Sequence, residues 1–452
     1  MNIKRAFNWK RYPEAWQWVT AQLDNFSQAN QDIAMMSDQL RVKVGARLID
    51  FVDYLAVDDF GSLASQLEGY GYEYNDNDNV WKHPGAILPW VVIQARSNIC
   101  APVEVALKVD SIAQFLMVQG LDLPIEGSPY SGFRRCEVST LNGISLWVVE
   151  RRTSRGVEPV TENSDYLNIY FKTLEKWQTR SRGTEDSAAT VEQMLDLAKK
   201  QVETAGADLA AYLFFEAERR FWQSRNRAAG IQKKNLDAVG MGWANHDHHT
   251  YRSSREHFQK LVEFFQILGF HPREKFYAGK EAGWGAQVVE NPIINVTLFL
   301  DVDLSADELD IDFVQEGLPI RDTLGTVGLW CALHGDSLLQ AGLHHLAVRS
   351  NFDRLTEILK NEQVKMMNPF STFPYLKQAF TYGEPWPVKE KRVQRLLKDG
   401  FITAESAEQF IQKGALGSHM ENIQRSSGYK GFSQKEVSAI IQETDPQQYS
   451  LD

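Results

Sequence analysis

The chain has 452 residues, 43% of them hydrophobic and 11% aromatic, which is enough for folded cores in two or three domains and too much for a disordered protein. A net charge of −11 argues against a nucleic-acid partner, and no apolar run reaches the roughly 18 residues that a membrane helix needs. Cys100, Cys136 and Cys331 are odd in number and widely spaced, so no disulfide framework or cysteine-rich zinc site is expected. With no apolar stretch after the basic N-terminal residues, the expected location is the cytoplasm.

In chain order, two amphipathic helices are predicted near 12–25 and 30–55, followed by a polar turn, Tyr74-Asn75-Asp76-Asn77-Asp78-Asn79. From about 102 the rhythm becomes strand, helix, strands. VEVALKV is a strand, DSIAQFLMVQGL a helix opened by Asp110 as its cap, and NGISLWVVERR a further strand. The basic run Arg151-Arg152-Thr153-Ser154-Arg155 reads as a solvated loop. Within 185–235, the stretch LAAYLFFEAERRFWQSRNRAAGIQ predicts one long helix. Three regions are expected: an α+β domain over 1–160, itself a candidate degenerate module; a helical linker over 161–238; and a third domain over 239–452.

The third region contains an internal repeat. After Gly240-Met241-Gly242, which lacks the third glycine of a dinucleotide fingerprint because position 245 is Asn245, a strand–helix–strand–strand–strand unit runs to INVTLFLDVDL. A second unit starts at LHHLAVRS and continues with the helix FDRLTEILKNE, the strand candidates VKMMN and YLKQAFTYG, and a helical insertion at 388–416. The two openings match: Asp247-His248-His249-Thr250-Tyr251-Arg252-Ser253 lies against His344-His345-Leu346-Ala347-Val348-Arg349-Ser350. Each has a His, an Arg four residues on, then a Ser.

Strand side chains alternate faces, so His248, Thr250 and Arg252 share one face, as do His345, Ala347 and Arg349. His249 and His344 should point the other way. Two such sheets side by side would bring His248 and His345 towards one metal ion, with a third ligand from the last strand. The candidate is Glu421, with His419 as fallback. Two imidazoles and one carboxylate on one side of a metal leave positions for substrate and dioxygen, as in non-haem Fe(II) enzymes. Arg252 and Arg349 are the expected receptors for a substrate carboxylate, Arg252 also with a catalytic role.

At these residues the sequence resembles the 2-oxoadipate dioxygenase/decarboxylase family, a branch of the vicinal-oxygen-chelate (glyoxalase-like) superfamily, over about 240–445. The resemblance rests on Asp247-His248 with Arg252, on Ile267-Leu268-Gly269-Phe270 and the Tyr277–Lys280 stretch, and on His345-Leu346-Ala347-Val348. It continues through Leu376-Lys377-Gln378 with Thr381, Gly431-Phe432, and Ile440-Ile441-Gln442-Glu443-Thr444-Asp445. It departs where the family's aromatic residues beside the metal Glu are replaced by Ser418, His419 and Asn422. The resemblance implies an α+β fold in which paired βαβββ modules form a metal-binding β-cup. It also implies Fe(II), with other divalent metals as alternatives, and a small carboxylate substrate and dioxygen as partners. The expected reaction turns a 2-oxo acid into a shortened 2-hydroxy acid with loss of CO2. A glyoxalase-like isomerase or lyase and a non-catalytic binding cup remain alternatives. Neither nucleic acid nor membrane is expected as a partner, and homo-oligomerisation is left open.

Overall fold

The computed structural model of the chain describes residues 9–59, 61–94, 102–183 and 187–433. The chain opens with α1 (Pro13–Ala29), which buries Ala15, Val19, Leu23 and Phe26 at helical spacing, and α2 (Gln31–Gln39). Asn30 separates them, its side chain accepting from the Asp32 amide at 2.9 Å and so capping α2. A wider turn carries the helix to Val44, where Gly45 takes φ +72° and a Cβ would lie 2.6 Å from the Leu355 Cα. The second helix expected to reach residue 55 therefore stops at Val44, and β1 (Val52–Asp58) takes over.

Next come α3 (Leu63–Gly69), β2 (Glu73–Asn75), β3 (Val80–Lys82) and β4 (Trp90–Gln94). The expected polar turn is the loop of the antiparallel β2–β3 hairpin. A second unit follows with β5 (Val103–Lys108), α4 (Ile112–Gln119), β6 (Phe133–Leu141) and β7 (Ile144–Arg151). Ser111, not Asp110, caps α4 by accepting from the Gln114 amide at 3.2 Å. Asp110 instead accepts from the Trp243 amide at 2.6 Å, which explains the glycine pair: at Gly242 (φ +61°) a Cβ would sit 2.2 Å from that carboxylate. The basic run is also corrected. Arg151 and Arg152 are buried, paired with Asp53 and Glu150, because Arg151 still belongs to β7 and its side chain points inward.

The predicted single long helix is two, α7 (Ala207–Gln223) and α8 (Arg227–Asp237), preceded by α5 (Tyr166–Gln178) and α6 (Ala188–Ala205). Asn226 breaks the run. Its extended backbone and its side-chain acceptance from the Ala229 amide at 2.8 Å start a new helix. Phe214 and Phe215 of α7 pack against Tyr251 and Phe265, so this helical layer shares one core with the sheets.

The C-terminal region then builds β8 (His246–Arg252), α9 (Phe258–Ile267), β9 (His271–Tyr277), β10 (Trp284–Asn291) and β11 (Val296–Asp303). After α10 (Thr326–His334) the second unit runs through β12 (His345–Arg349), α11 (Phe352–Asn361), β13 (Ser371–Phe373) and β14 (Leu376–Phe380). The strand expected at VKMMN is displaced to β13, and Met366 makes only an isolated bridge to Thr381. The helical insertion is α12 (Glu390–Lys398) and α13 (Ala404–Lys413), flanked by a ribbon of β15 (Glu384–Trp386) and β16 (Ala415–Ser418). β17 (Glu421–Arg425) completes the unit.

Among the described residues the strands form two large sheets and that ribbon. The eight-stranded sheet has the order β13-β14-β17-β12-β8-β11-β10-β9. Each half is a βαβββ module, and the two join through antiparallel β8 and β12. This α+β pairing of two βαβββ modules is the β-cup that the resemblance implies. The seven-stranded sheet, β2-β3-β4-β1-β5-β7-β6, repeats the plan, with β1 and β5 as the antiparallel central pair and one strand fewer in its second unit. No helix among the described residues is long and apolar enough to cross a membrane. The expected closing motif at 440–445 lies outside the described residues.

Candidate metal centre

Strand alternation positions the site. On β8, His249 and Tyr251 face the helical layer, their rings 5.1 Å from Phe215 and 5.0 Å from Phe265. His248, Thr250 and Arg252 consequently face the concave side. On β12, Leu346 and Val348 enter the main core and His345 faces the concavity. Antiparallel pairing sets His345 opposite Thr250, so the imidazoles of His248 and His345 stand 5.7 Å apart, centroid to centroid. Parallel pairing of β12 with β17 sets Glu421 opposite Ala347 and brings its carboxylate between them.

The contacts converge on one oxygen. Glu421 Oε2 lies 3.0 Å from His248 Nε2 and 3.3 Å from His345 Nε2. The other oxygen, Oε1, accepts from Gln378 Nε2 at 2.8 Å. His248 Nδ1 is 3.0 Å from Asp247 Oδ1, and Asp247 is clamped by Arg425 at 2.7 and 2.9 Å. His345 Nε2 also lies 3.1 Å from Thr250 Oγ1. The three groups are 3, 7 and 2% exposed for His248, His345 and Glu421, so any charge here is shielded from water.

The electrostatics match this crowding. Burial opposes a charge on His248, but the Glu421 and Asp247 carboxylates outweigh it and push its pKa up to about 9. Burial pushes His345 down to about 4 despite Glu421. Burial would raise Glu421, yet the two imidazoles hold it well below the usual carboxylate range. These residues fit a divalent cation. Donors about 2.0–2.2 Å from a shared ion stand roughly 3.0–3.5 Å from one another, and the two nitrogen–oxygen spacings here fall within that interval. The Asp247 carboxylate on His248 Nδ1 has the arrangement by which a carboxylate can orient a metal-binding imidazole and fix its tautomer.

Of the other expected residues, Arg252 lies buried in the cup, its guanidinium 5.4 Å from the Trp330 ring centroid. Arg349 lies four residues along β12 from His345, in a cleft between the two sheets that Asp247 and Arg425 also line. His419 groups instead with His344 and His345, their donor atoms within 4.8 Å of one another. His344 thus departs from the expectation that it faces away, because it precedes the first residue of β12 and strand alternation does not govern it.

Sequence reasoning left out Asp301. It stands on β11 opposite Arg252, 3% exposed, and burial pushes its carboxyl up to about 7 against the pull of Arg252 and His248. Its signal was the alternation Phe299, Asp301, Asp303 along a strand that is otherwise apolar apart from Thr297. Phe432 was read only as part of a closing motif. It packs edge-on to His248 at 5.0 Å, and the neighbouring Gly431 carbonyl accepts from Arg425 at 2.6 Å.

No family model and no curated protein matches the chain. Solved structures similar to it include a triple mutant of 4-hydroxymandelate synthase from Streptomyces coelicolor, 13% identical, covering 88% of this chain and 98% of that one with a TM-score of 0.26. Methylmalonyl-CoA epimerase from Mycobacterium tuberculosis is 11% identical over 40% of this chain and 87% of its own, with a TM-score of 0.23. A xylose isomerase-like TIM barrel/4-hydroxyphenylpyruvate dioxygenase fusion protein is 11% identical over 88% of this chain and 52% of its own, with a TM-score of 0.24. The fold assignment rests on the strand order and register of this chain itself.

Proposed function

We propose that the C-terminal cup is a metal-dependent active site in which His248, His345 and Glu421 hold Fe(II), and that the enzyme is a dioxygenase converting a small 2-oxo acid to a 2-hydroxy acid with loss of CO2. The observation that carries this reading is the convergence of two buried imidazoles on one carboxylate oxygen. When bound, the ion supplies a template for the 2-oxo acid and dioxygen and a Lewis acid for the keto group.

The protein's own residues have separable tasks. Asp247 and Gln378 fix the His248 ring and the Glu421 carboxylate from behind, leaving one face of the donor set towards the cup. Phe276, Phe299 and Phe380 belong to a buried apolar cluster in the cup, joined by Phe432, and this lining excludes water. Arg252 offers a guanidinium to the substrate carboxylate on the same face as His248. Asp301, titrating at about 7 beside Arg252, is placed to hold or release a proton near neutral pH.

The test is oxygen uptake and CO2 release with 2-oxoadipate and shorter 2-oxo acids on iron-loaded protein under reducing conditions. We expect both, with His248→Ala losing at least about tenfold in metal affinity by elemental analysis and chelator competition. Turnover under nitrogen would replace this reading with an isomerase or lyase. Wild-type protein that binds no divalent metal at micromolar levels would overturn the catalytic assignment.

A further inference from the structure

The registers of the two sheets can be superimposed strand by strand. Glu104 pairs with Ala56 across β5 and β1, as His345 pairs with Thr250 across β12 and β8. Ala106 pairs with Trp147, as Ala347 pairs with Glu421. The N-terminal sheet therefore carries Tyr54, Glu104 and Trp147 where the C-terminal sheet carries His248, His345 and Glu421. Tyr54 donates to Glu104 at 3.1 Å, a hydrogen bond in place of a donor set.

The same superposition keeps one feature intact at the ends of these strands. Arg151 clamps Asp53 (Nε to Oδ1 at 2.8 Å) at the positions where Arg425 clamps Asp247 (Nε to Oδ2 at 2.7 Å). Beside each clamp stands a second cation, again at equivalent positions: Lys108 on β5 and Arg349 on β12. All six residues line one cleft of about 810 Å3 between the sheets, within the size range of small-molecule sites.

Charge pairing in the cleft is uneven. Asp53 and Asp247 are taken by their clamps, and Asp50, also on the wall, is held by Arg47 at 2.6 Å. Among the described residues neither Lys108 nor Arg349 has a carboxylate within ion-pair distance, and Arg349 Nε is buried without a hydrogen-bond partner. Burial pushes the Lys108 ammonium down to about 8; Asp53 and Asp110 pull against the shift, and the Arg151 and Arg349 charges add to it. Two cations that line one cleft without an ion-pair partner cost free energy unless an anion joins them.

We propose that the cleft between the two sheets is a binding site for a small dianion, a dicarboxylate or a phosphate ester, held between Lys108 and Arg349. His248, His345 and Glu421 do not line this cleft, whereas Asp247, which contacts His248, and Arg425 do. Neither the metal nor the reaction proposed above is needed for it.

The test is calorimetric titration of the full chain with malonate and with inorganic phosphate at constant ionic strength. Saturable binding of at least one is expected, weakened by about tenfold or more in Lys108→Met and in Arg349→Met and retained in Lys108→Arg. His345→Ala, which alters the metal centre alone, should bind the anion as wild type does. The anion-free thermal midpoint of Lys108→Met should equal or exceed that of wild type, since a desolvated cation without an ion-pair partner has been removed. Tighter malonate binding would assign a dicarboxylate, and tighter phosphate binding a phosphate ester. The proposal falls if neither anion saturates, or if Lys108→Met and Arg349→Met bind like wild type. An equal loss in His345→Ala would also sink it, by placing the anion at the metal centre and leaving the metal reading untouched.

Discussion

Asp247 does two jobs with one carboxylate: it accepts from Arg425 and fixes the Nδ1 side of His248. Because burial opposes its charge and Arg425 overcomes this, its pKa lies far below the ordinary range and it stays ionised throughout the working pH range. Asp247→Asn keeps the shape but removes the charge that stabilises the ring orientation. We expect metal affinity to fall by about 10–100-fold, measured by chelator competition. An unchanged affinity would show that the clamp does not orient the ligand. The pair Asp247-His248 was visible in the sequence as a motif, but the partnership with Arg425, 178 residues away, was not.

At the scale of elements, the informative features are the breaks. The α7–α8 interruption at Asn226 faces the β16–β17 interruption. Ser418 Oγ accepts from Asn226 Nδ2 at 3.1 Å and from Trp222 Nε1 at 2.8 Å, three residues before Glu421. A sequence poor in strand formers, Gly417 to Met420, is thus held by side-chain hydrogen bonds in addition to the short β15–β16 ladder, which ends at Ser418. Asn226→Ala removes a helix cap and one of these bonds, and should destabilise the protein by about 1–2 kcal/mol in urea unfolding. A loss near zero would mean that the two breaks are not coupled. Periodicity alone read 209–232 as one helix because the apolar spacing runs almost in phase through the break, while the partner that selects the cap lies nearly 200 residues further on.

Across the whole molecule, the repeated Arg–Asp clamps allow a comparison that separates stability from function. Arg425→Met and Arg151→Met each strand a buried aspartate, and each should cost about 3–5 kcal/mol. Only Arg425→Met should also lower metal affinity, since the Arg151 clamp borders a sheet whose corresponding positions are Tyr54, Glu104 and Trp147. Thermal or urea unfolding reads the first effect and metal titration the second. Equal losses of metal affinity in both variants would contradict the division of roles between the sheets.

The amino-acid sequence alone determined what short-range physics controls. Alternation of apolar and polar residues along 246–252 and 345–349 set which faces His248 and His345 occupy, and the duplicated order of strands and helix set the βαβββ modules. Tertiary structure decided what register and distant packing control. It set Glu421 opposite Ala347, aimed Gln378 at the Glu421 carboxylate, carried Arg349 into the cleft between the sheets, and buried Arg151 and Arg152 where composition suggested solvent. The difference has a physical cause. Side-chain alternation is a property of a single strand, whereas the register between strands, and the partner that neutralises a buried charge, can depend on residues far apart in the chain, as with Arg151 and Asp53, 98 positions apart.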